Sequence, residues 1–351
     1  MQNFVYDHPA TRVIFGVGVL DRLQEEVKRL GARRAIVLST PEQRADAEEA
    51  MRRLGDMAAG LFTEAVMHVP IETARAARDM ARELGADCYV AVGGGSTTGL
   101  GKAIALETGM PILAVPTTYA GSEMTPIYGI TEGGLKKTGR DRRVLPRTVL
   151  YDPTLTVSLP AHISGPSGMN AIAHCVEGLY AEDANPIMTL LAAEGVRALT
   201  RSLPIVVREP GNLEARSDAL YGAWLAGSVL GAVGMAIHHK LCHVLGGTFN
   251  LPHADTHTIV LPHTVAFNRE AAPEAMRIAA EALGAKDAAR GIYDLIKRFG
   301  APIALKDIGM PEDGLDRAAK LATENPYYNP RKVEYGEVRE LLENAYRGTR
   351  P

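Results

Sequence analysis

Residues 168–178 read GMNAIAHCVEG, with Asn170 and His174 four apart in a stretch of helical spacing. Four apart on a helix means one face, one turn on. An aspartate at position 170 would make this pair half of a divalent-metal site. Asn170 offers instead a neutral oxygen and an N–H donor. Six of the ten histidines, His238, His239, His243, His253, His257 and His263, crowd into IHHKLCHVLGGTFNLPHADTHTIVLPH. His239 and His243 share a helix face by the same spacing, and His253 follows a Gly-Gly turn. One reading is a divalent ion on His174, His239 and His253. The other is a metal-free polar pocket whose imidazoles donate protons and bind anions.

A second set of residues suits a nucleotide. VAVGGGSTTGLGKA puts Gly93, Gly94, Gly95 and Ser96 between a strand and a helix. Glycines let the backbone approach a pyrophosphate, and the helix N-terminus supplies free N–H groups and a favourable dipole. The spacing is neither G-x-G-x-x-G nor a Walker loop. Ser39 and Thr40, in VLSTPEQ, end an earlier strand where a dinucleotide fold often has an acidic residue. An acid there holds the ribose 2′-OH and repels a 2′-phosphate. Hydroxyls can bond either group, so both NADH and NADPH are expected to serve. Thr117, Thr118 and Ser122, in VPTTYAGSEMTP, follow the next strand and are further candidates for the cofactor.

These residues need particular elements beneath them. RAIVLST (34–40), a strand within 58–70, DCYVAVGGGS (87–96) and PILAVPTTYAGSE (111–123) read as strands. Residues 42–58, 71–85 and 97–109 read as the helices between them. This alternation predicts a parallel sheet with helices on both faces. From about Leu159 the texture turns helical and stays so to the C-terminus. The reading is therefore two domains, an α/β nucleotide-binding domain over 1–158 and an all-α domain over 159–351, with the active site in the cleft between them. A chain of 351 residues is long enough for both.

Composition narrows the classes. The formal charge is −3 and no long basic run is present, which argues against nucleic acid. No apolar run reaches the length of a membrane span, and the first residues lack a secretion signal. Cys88, Cys175 and Cys242 sit in apolar periodic segments, as free thiols in a reducing cytoplasm would.

Four segments in order, GGGS-x-x-x-x-x-K (93–102), PTTYAGSE (116–123), the helix around Asn170–His174 and HHKLCHVLGG…NLPH, resemble the iron-containing alcohol dehydrogenase superfamily. The resemblance spans nearly the whole chain. It implies the dehydroquinate synthase-like fold, an N-terminal dinucleotide-binding α/β domain and a helical C-terminal domain. The superfamily's metal set, one Asp and three His, falls here on Asn170, His174, His239 and His253; His243 matches a further active-site histidine. Two departures stand out. Gly99 replaces the usual Asp of the glycine motif, and Asn170 replaces the first metal ligand. With VLSTPEQ, KKTGRD (136–141) and ENPYYNPR (324–331), the chain is similar to the maleylacetate reductase branch, which works without a metal.

That resemblance implies NADH- or NADPH-dependent reduction of the conjugated C=C bond of maleylacetate, or of chlorinated analogues, to a 3-oxoadipate in aromatic-compound degradation. It also implies a cytoplasmic homodimer. His243 and His253 are the expected acid–base residues; Asn170, His174, His239, Tyr328 and Arg331 are expected at the substrate. Lys137 joins Ser39, Thr40, Gly93, Gly94, Gly95, Ser96, Thr117, Thr118 and Ser122 at the cofactor. A metal-dependent alcohol or polyol dehydrogenase of the same superfamily is the alternative, and a non-catalytic nucleotide-binding regulator is the second.

Overall fold

The computed structural model describes residues 4, 6 and 10–351. The chain divides after Leu159 into two compact units.

The first unit is built on strands β1 (Arg12–Phe15), β2 (Ala35–Leu38), β3 (Ala58–Phe62), β4 (Cys88–Gly93), β5 (Ile112–Pro116) and β8 (Thr148–Tyr151). They form one sheet in the order β1-β8-β5-β4-β2-β3. Every pairing in it is parallel, with Val37 beside Val90 and Val90 beside Leu113. Helices α1 (Leu23–Arg29), α2 (Arg44–Leu54), α3 (Ile71–Glu83) and α4 (Gly95–Thr108) supply the crossovers.

Strand alternation sends successive side chains to opposite faces. Val37, Val90 and Leu113 pack on Leu23, Val27, Ala50 and Leu54 of α1 and α2. Ile36, Leu38, Tyr89 and Ala91 pack on Ala77, Ala81, Leu100 and Ile104 of α3 and α4. The sheet is thus covered on both faces, as the βαβα alternation predicts. From β2 the chain steps outward to β3, then returns to lay β4 on the other side of β2. The carboxyl ends of β2 and β4 therefore flank the point where strand order reverses, the usual ligand crevice of such sheets.

Three features of this unit were not read from the sequence. Strands β1 and β8 are only four residues each, and an antiparallel hairpin, β6 (Ile127–Glu132) and β7 (Leu135–Arg140), stands off the main sheet. The hairpin turns on Gly133 and Gly134, both at positive φ. β7, LKKTGR, is polar and exposed and carries no alternating apolar signal, whereas β6, IYGITE, is half-buried with Ile130 against the core.

The second unit is helical: α5 (Ala161–Leu179), α6 (Pro186–Arg208), α7 (Leu213–Ala232), α8 (Ile237–Phe249), α9 (His253–Asn268), α10 (Pro273–Leu283), α11 (Ala288–Arg298), α12 (Leu315–Thr323) and α13 (Tyr335–Arg347). α5 is buried along nearly its whole length. Its small residues allow that: Gly168 sits on Leu203 of α6 and Gly178 on Val229 of α7, where a Cβ would collide. The apolar run 219–247 breaks between α7 and α8. There Gly234 N–H donates to Asp183 Oδ1 (2.8 Å) and Ala236 N–H to Glu177 Oε2 (3.0 Å). Among the described residues no single helix is long and apolar enough to cross a membrane. Cys88, Cys175 and Cys242 are buried free thiols.

Candidate active site

In the α/β unit, β4 runs straight into α4 through Gly93 and Gly94. Gly93 has φ +150, and a Cβ there would collide with Thr97 and Gln43. At Gly94 a Cβ would come within 2.9 Å of Thr118. The cradle is open only because no side chain fills it. Thr97, in the first turn of α4, is fully buried with an unpartnered Oγ1. A buried hydroxyl without a partner is costly unless a ligand completes it. Thr117 N–H donates to Gly93 O (3.1 Å), and Gln43 Nε2 donates to Thr117 Oγ1. Gly93, Gly94, Gly95, Ser96, Thr117 and Thr118 thus stand together at the carboxyl ends of β4 and β5.

Ser39 needs a correction. It is wholly enclosed, its Oγ unpartnered, its N–H on Phe62 O (2.9 Å) and its carbonyl on Ala65 N–H (3.1 Å). Thr40, half-buried, is the residue of the pair that reaches the surface. Its hydroxyl bonds the exposed Glu42 carboxylate, which that bond and Glu42's own backbone N–H hold below the usual range. The turn after β2 therefore carries a negative charge, at Glu42, two residues beyond Thr40.

Lys137 does not join this group. It lies exposed on β7 and pairs with Glu132 Oε2 (2.9 Å) across the hairpin. The lysine that enters the site's framework is Lys102, from the middle of α4. Its Nζ donates to Ser122 O (2.6 Å), Ser122 Oγ (3.2 Å), Thr125 Oγ1 (2.9 Å) and Ile127 O (2.8 Å).

In the helical unit, Asn170, His174 and Glu177 take one face of α5 by i, i+4, i+7 spacing. His174 lies 5.1 Å, ring to ring, from His239 of α8, and His239 lies 6.4 Å from His243. Asn250, at φ 53, ends α8 in the left-handed conformation, and His253 opens α9 three residues later. His253 stacks 4.2 Å from His257, which lies 5.0 Å from His239. The sequence thus brings Asn170, His174, His239, His243 and His253 into one cluster. His243 and His253 are its exposed members; Asn170, His174 and His239 are buried.

Glu177 organises the cluster. Oε1 accepts from His238 N–H (2.8 Å); Oε2 accepts from Ala236 N–H (3.0 Å), His239 N–H (3.4 Å) and His239 Nδ1 (2.6 Å). It sits at the N-terminus of α8, where a carboxylate complements free N–H groups and the dipole. Burial pushes its carboxyl up, against the pull of His238 and the three N–H donors. Burial also holds His174, His239 and His257 well below the ordinary imidazole value, with neighbouring histidines adding to it. These rings are neutral near pH 7. With Nδ1 of His239 given to Glu177, its Nε2 is a lone pair, and it has no partner. Asn170 Oδ1, His174 Nδ1 and both nitrogens of His257 are likewise buried without partners. Such a concentration of unsatisfied buried polar atoms marks a ligand site.

Tyr328 and Arg331 are also corrected. Arg331 is committed elsewhere: Nη1 donates to Phe267 O (3.1 Å), Nη2 pairs with Glu337, and the guanidinium lies over the Phe267 ring at 4.4 Å. Phe267 is near the far end of α9, about 20 Å along the axis from His253 at 1.5 Å per residue. Tyr328 is exposed, whereas the neighbouring Tyr327 buries an unpartnered OH raised by burial and by the charge of Glu177. Lys240 of α8 sits over its ring at 5.7 Å. Of Tyr327 and Tyr328, Tyr327 is therefore the one nearer the cluster.

Comparison with known proteins fits this arrangement. The family model for iron-containing alcohol dehydrogenase matches residues 10–153, and that for the C-terminal part of the Fe-containing alcohol dehydrogenase family matches 165–346. The chain is 58% identical to the maleylacetate reductase of Burkholderia cepacia over the full length of both. It is 57% identical to that of Sphingobium indicum over 99% of each chain. The crystal structure of maleylacetate reductase from Agrobacterium tumefaciens superposes with a TM-score of 0.97, at 52% identity and full coverage of both chains.

Proposed function

The chain belongs to the iron-containing alcohol dehydrogenase family, and within it we propose that it is an NAD(P)H-dependent reductase of maleylacetate, using the cluster around Asn170 without a metal ion. The observation that carries this reading is the neutrality of the donor set. The family name implies iron, and the positions that match its ligands are Asn170, His174, His239 and His253. None is anionic. Glu177, the one carboxylate in contact with these rings, has its oxygens taken by three backbone N–H groups and His239 Nδ1. A divalent ion on four neutral ligands in a buried site is left without charge compensation, which is expensive. The set lacks the anionic ligand of the superfamily's metal set, which weakens its hold on a divalent cation.

It does fit an enolate and two carboxylates. A nicotinamide held by the α/β unit would supply the hydride, to the alkene carbon β to the ketone. Electron density then moves to the ketone oxygen, where a hydrogen-bond donor is enough to stabilise it. Asn170 Nδ2 is such a donor, and an aspartate in its place would repel the dianionic substrate. His243 and His253, the exposed imidazoles, are placed to bind carboxylate and to protonate the α carbon. His174 and His239 line the site as neutral rings, with Glu177 fixing the tautomer of His239.

For the nucleotide, the open Gly93–Gly94 cradle and the unpartnered Thr97 hydroxyl support a pyrophosphate at the start of α4. Thr117, Thr118 and Ser122 support contacts further along the cofactor. Thr40 leaves room for both cofactors, while Glu42 favours NADH. Homodimeric assembly is carried over from the same resemblance. The test is a steady-state assay with maleylacetate and each cofactor, with and without a chelator. Turnover that persists in chelator supports the reading. Turnover that disappears and returns with a divalent ion overturns it in favour of a metal-dependent dehydrogenase.

A further inference from the structure

Lys102 is the one charged side chain in α4 that lies wholly inside the protein, in the apolar run GLGKAIAL. A buried ammonium is unstable without partners. Here three N–H donors meet four oxygens, all on the segment from Ser122 to Ile127. The same segment is anchored from β8, where Tyr151 OH donates to the buried Glu123 carboxyl (2.8 Å). Glu123 is also the opposite charge that favours the lysine's protonated form.

The pattern of donors has a direction. Ser122 Oγ accepts from Lys102, so its own O–H is left to donate elsewhere. Thr125 Oγ1 accepts from Lys102 and donates to Ser122 O (3.2 Å). The lysine therefore fixes both the position of Ser122 and the sense of its hydrogen bonding. Lys102 itself is two helical turns from Gly95, about 10 Å along the axis, too far to act on the pyrophosphate cradle directly.

We infer that Lys102 is a positioning residue for the nicotinamide nucleotide: it locks the Ser122–Ile127 segment so that the Ser122 hydroxyl is presented to the cofactor as a donor. The inference rests on the reading of Ser122 as a cofactor contact.

The test is a double-mutant cycle on equilibrium NADH binding, with kcat and KM measured alongside. Ser122→Ala should weaken NADH binding roughly fivefold. Lys102→Met, which keeps the length and loses the donors, should weaken it roughly tenfold, with KM for maleylacetate within about twofold of wild type. Adding Ser122→Ala to Lys102→Met should cost nothing further, because the hydroxyl is no longer directed. If Ser122→Ala alone has no effect, the cofactor role of Ser122 fails. If Ser122→Ala weakens binding but Lys102→Met does not, or the two effects multiply, Ser122 stands and the Lys102 inference is overturned. Should Lys102→Met not fold, Thr125→Val removes one of the four acceptors. It should raise the KM for NADH about two- to threefold without moving the KM for maleylacetate; an unchanged KM for NADH overturns the inference.

Discussion

His239 Nδ1 lies 2.6 Å from Glu177 Oε2, a hydrogen bond between two buried side chains brought together from α5 and α8. One carboxylate thus caps the start of α8 and sets which nitrogen of His239 carries the proton. The bond leaves Nε2 of His239 as an unpartnered lone pair. Glu177→Gln should break this twice over. Its amide NH₂ would face backbone N–H donors, and its remaining oxygen cannot serve all four partners. A loss of about 1–3 kcal/mol in urea unfolding is expected from the unsatisfied groups. Turnover should fall at least tenfold in protein that remains folded. Unaltered turnover would show that the His239 tautomer is irrelevant to the reaction.

The exposed imidazoles carry the acid–base prediction. Positioned proton transfer is worth about 10²–10⁴-fold in rate. His243→Ala should lower kcat by an amount in that range while NADH binding stays near normal. His253→Ala is the parallel measurement. Near-normal turnover in either variant removes that residue from the proton path.

The proposed leaning toward NADH rests on Glu42 rather than Ser39. Ser39 is enclosed, so an aspartate there would disrupt the fold before it could repel a phosphate. Glu42 is exposed beside Thr40. A unit charge about 4 Å from another is worth about 1 kcal/mol in water. Glu42→Gln should therefore improve kcat/KM for NADPH roughly fivefold relative to NADH. Equal change with both cofactors would place Glu42 away from the ribose.

Much of this was legible in advance, and the exceptions have physical causes. Short apolar runs ending in glycine or hydroxyl residues announced β2, β4 and β5, because buried parallel strands need little else. The histidine cluster was legible because its members repeat at helical spacing. Glu177 was passed over although it lies on the Asn170–His174 face at i+7; a lone acid in a helix ordinarily reads as solvated surface. Lys102 closes the glycine motif, and its apolar flanks signal its burial. For Lys137 and Arg331 a motif fixes residue type but not the partner a side chain finds. Glu132 and Glu337 took those two cations.

Lys102 also makes a pH prediction. Burial pulls its ammonium down to about 7, against an ordinary lysine value in the unfolded chain. Between those values the unfolded state binds more protons, so stability rises with pH across that window. The lysine's contribution is complete above about pH 10 and lost as pH falls toward 7. In urea unfolding at pH 7, 8 and 9, wild type should gain stability relative to Lys102→Met at each step. A constant difference would mean that the lysine titrates alike in both states.

Asn170 decides between the two chemistries open to this family. Its side-chain Oδ1 is buried without a partner, as are His174 Nδ1 and His239 Nε2. The superfamily resemblance lays the metal set on Asn170, His174, His239 and His253, and Asn170 stands at the position of its one anionic ligand. Restoring it should restore affinity for metal: Asn170→Asp should bind Zn²⁺ or Fe²⁺ measurably tighter than wild type in calorimetry. The same carboxylate would stand against a dianionic substrate and remove the N–H donor that stabilises the enolate. Maleylacetate reduction by the metal-free variant should then fall by about 10²-fold, the cost of one lost donor at a developing oxyanion. Wild-type protein should keep its turnover in chelator throughout. If Asn170→Asp gains metal and reduces maleylacetate as fast as wild type, the amide is a tolerated ligand variant, and the neutral pocket is not what makes the reaction go.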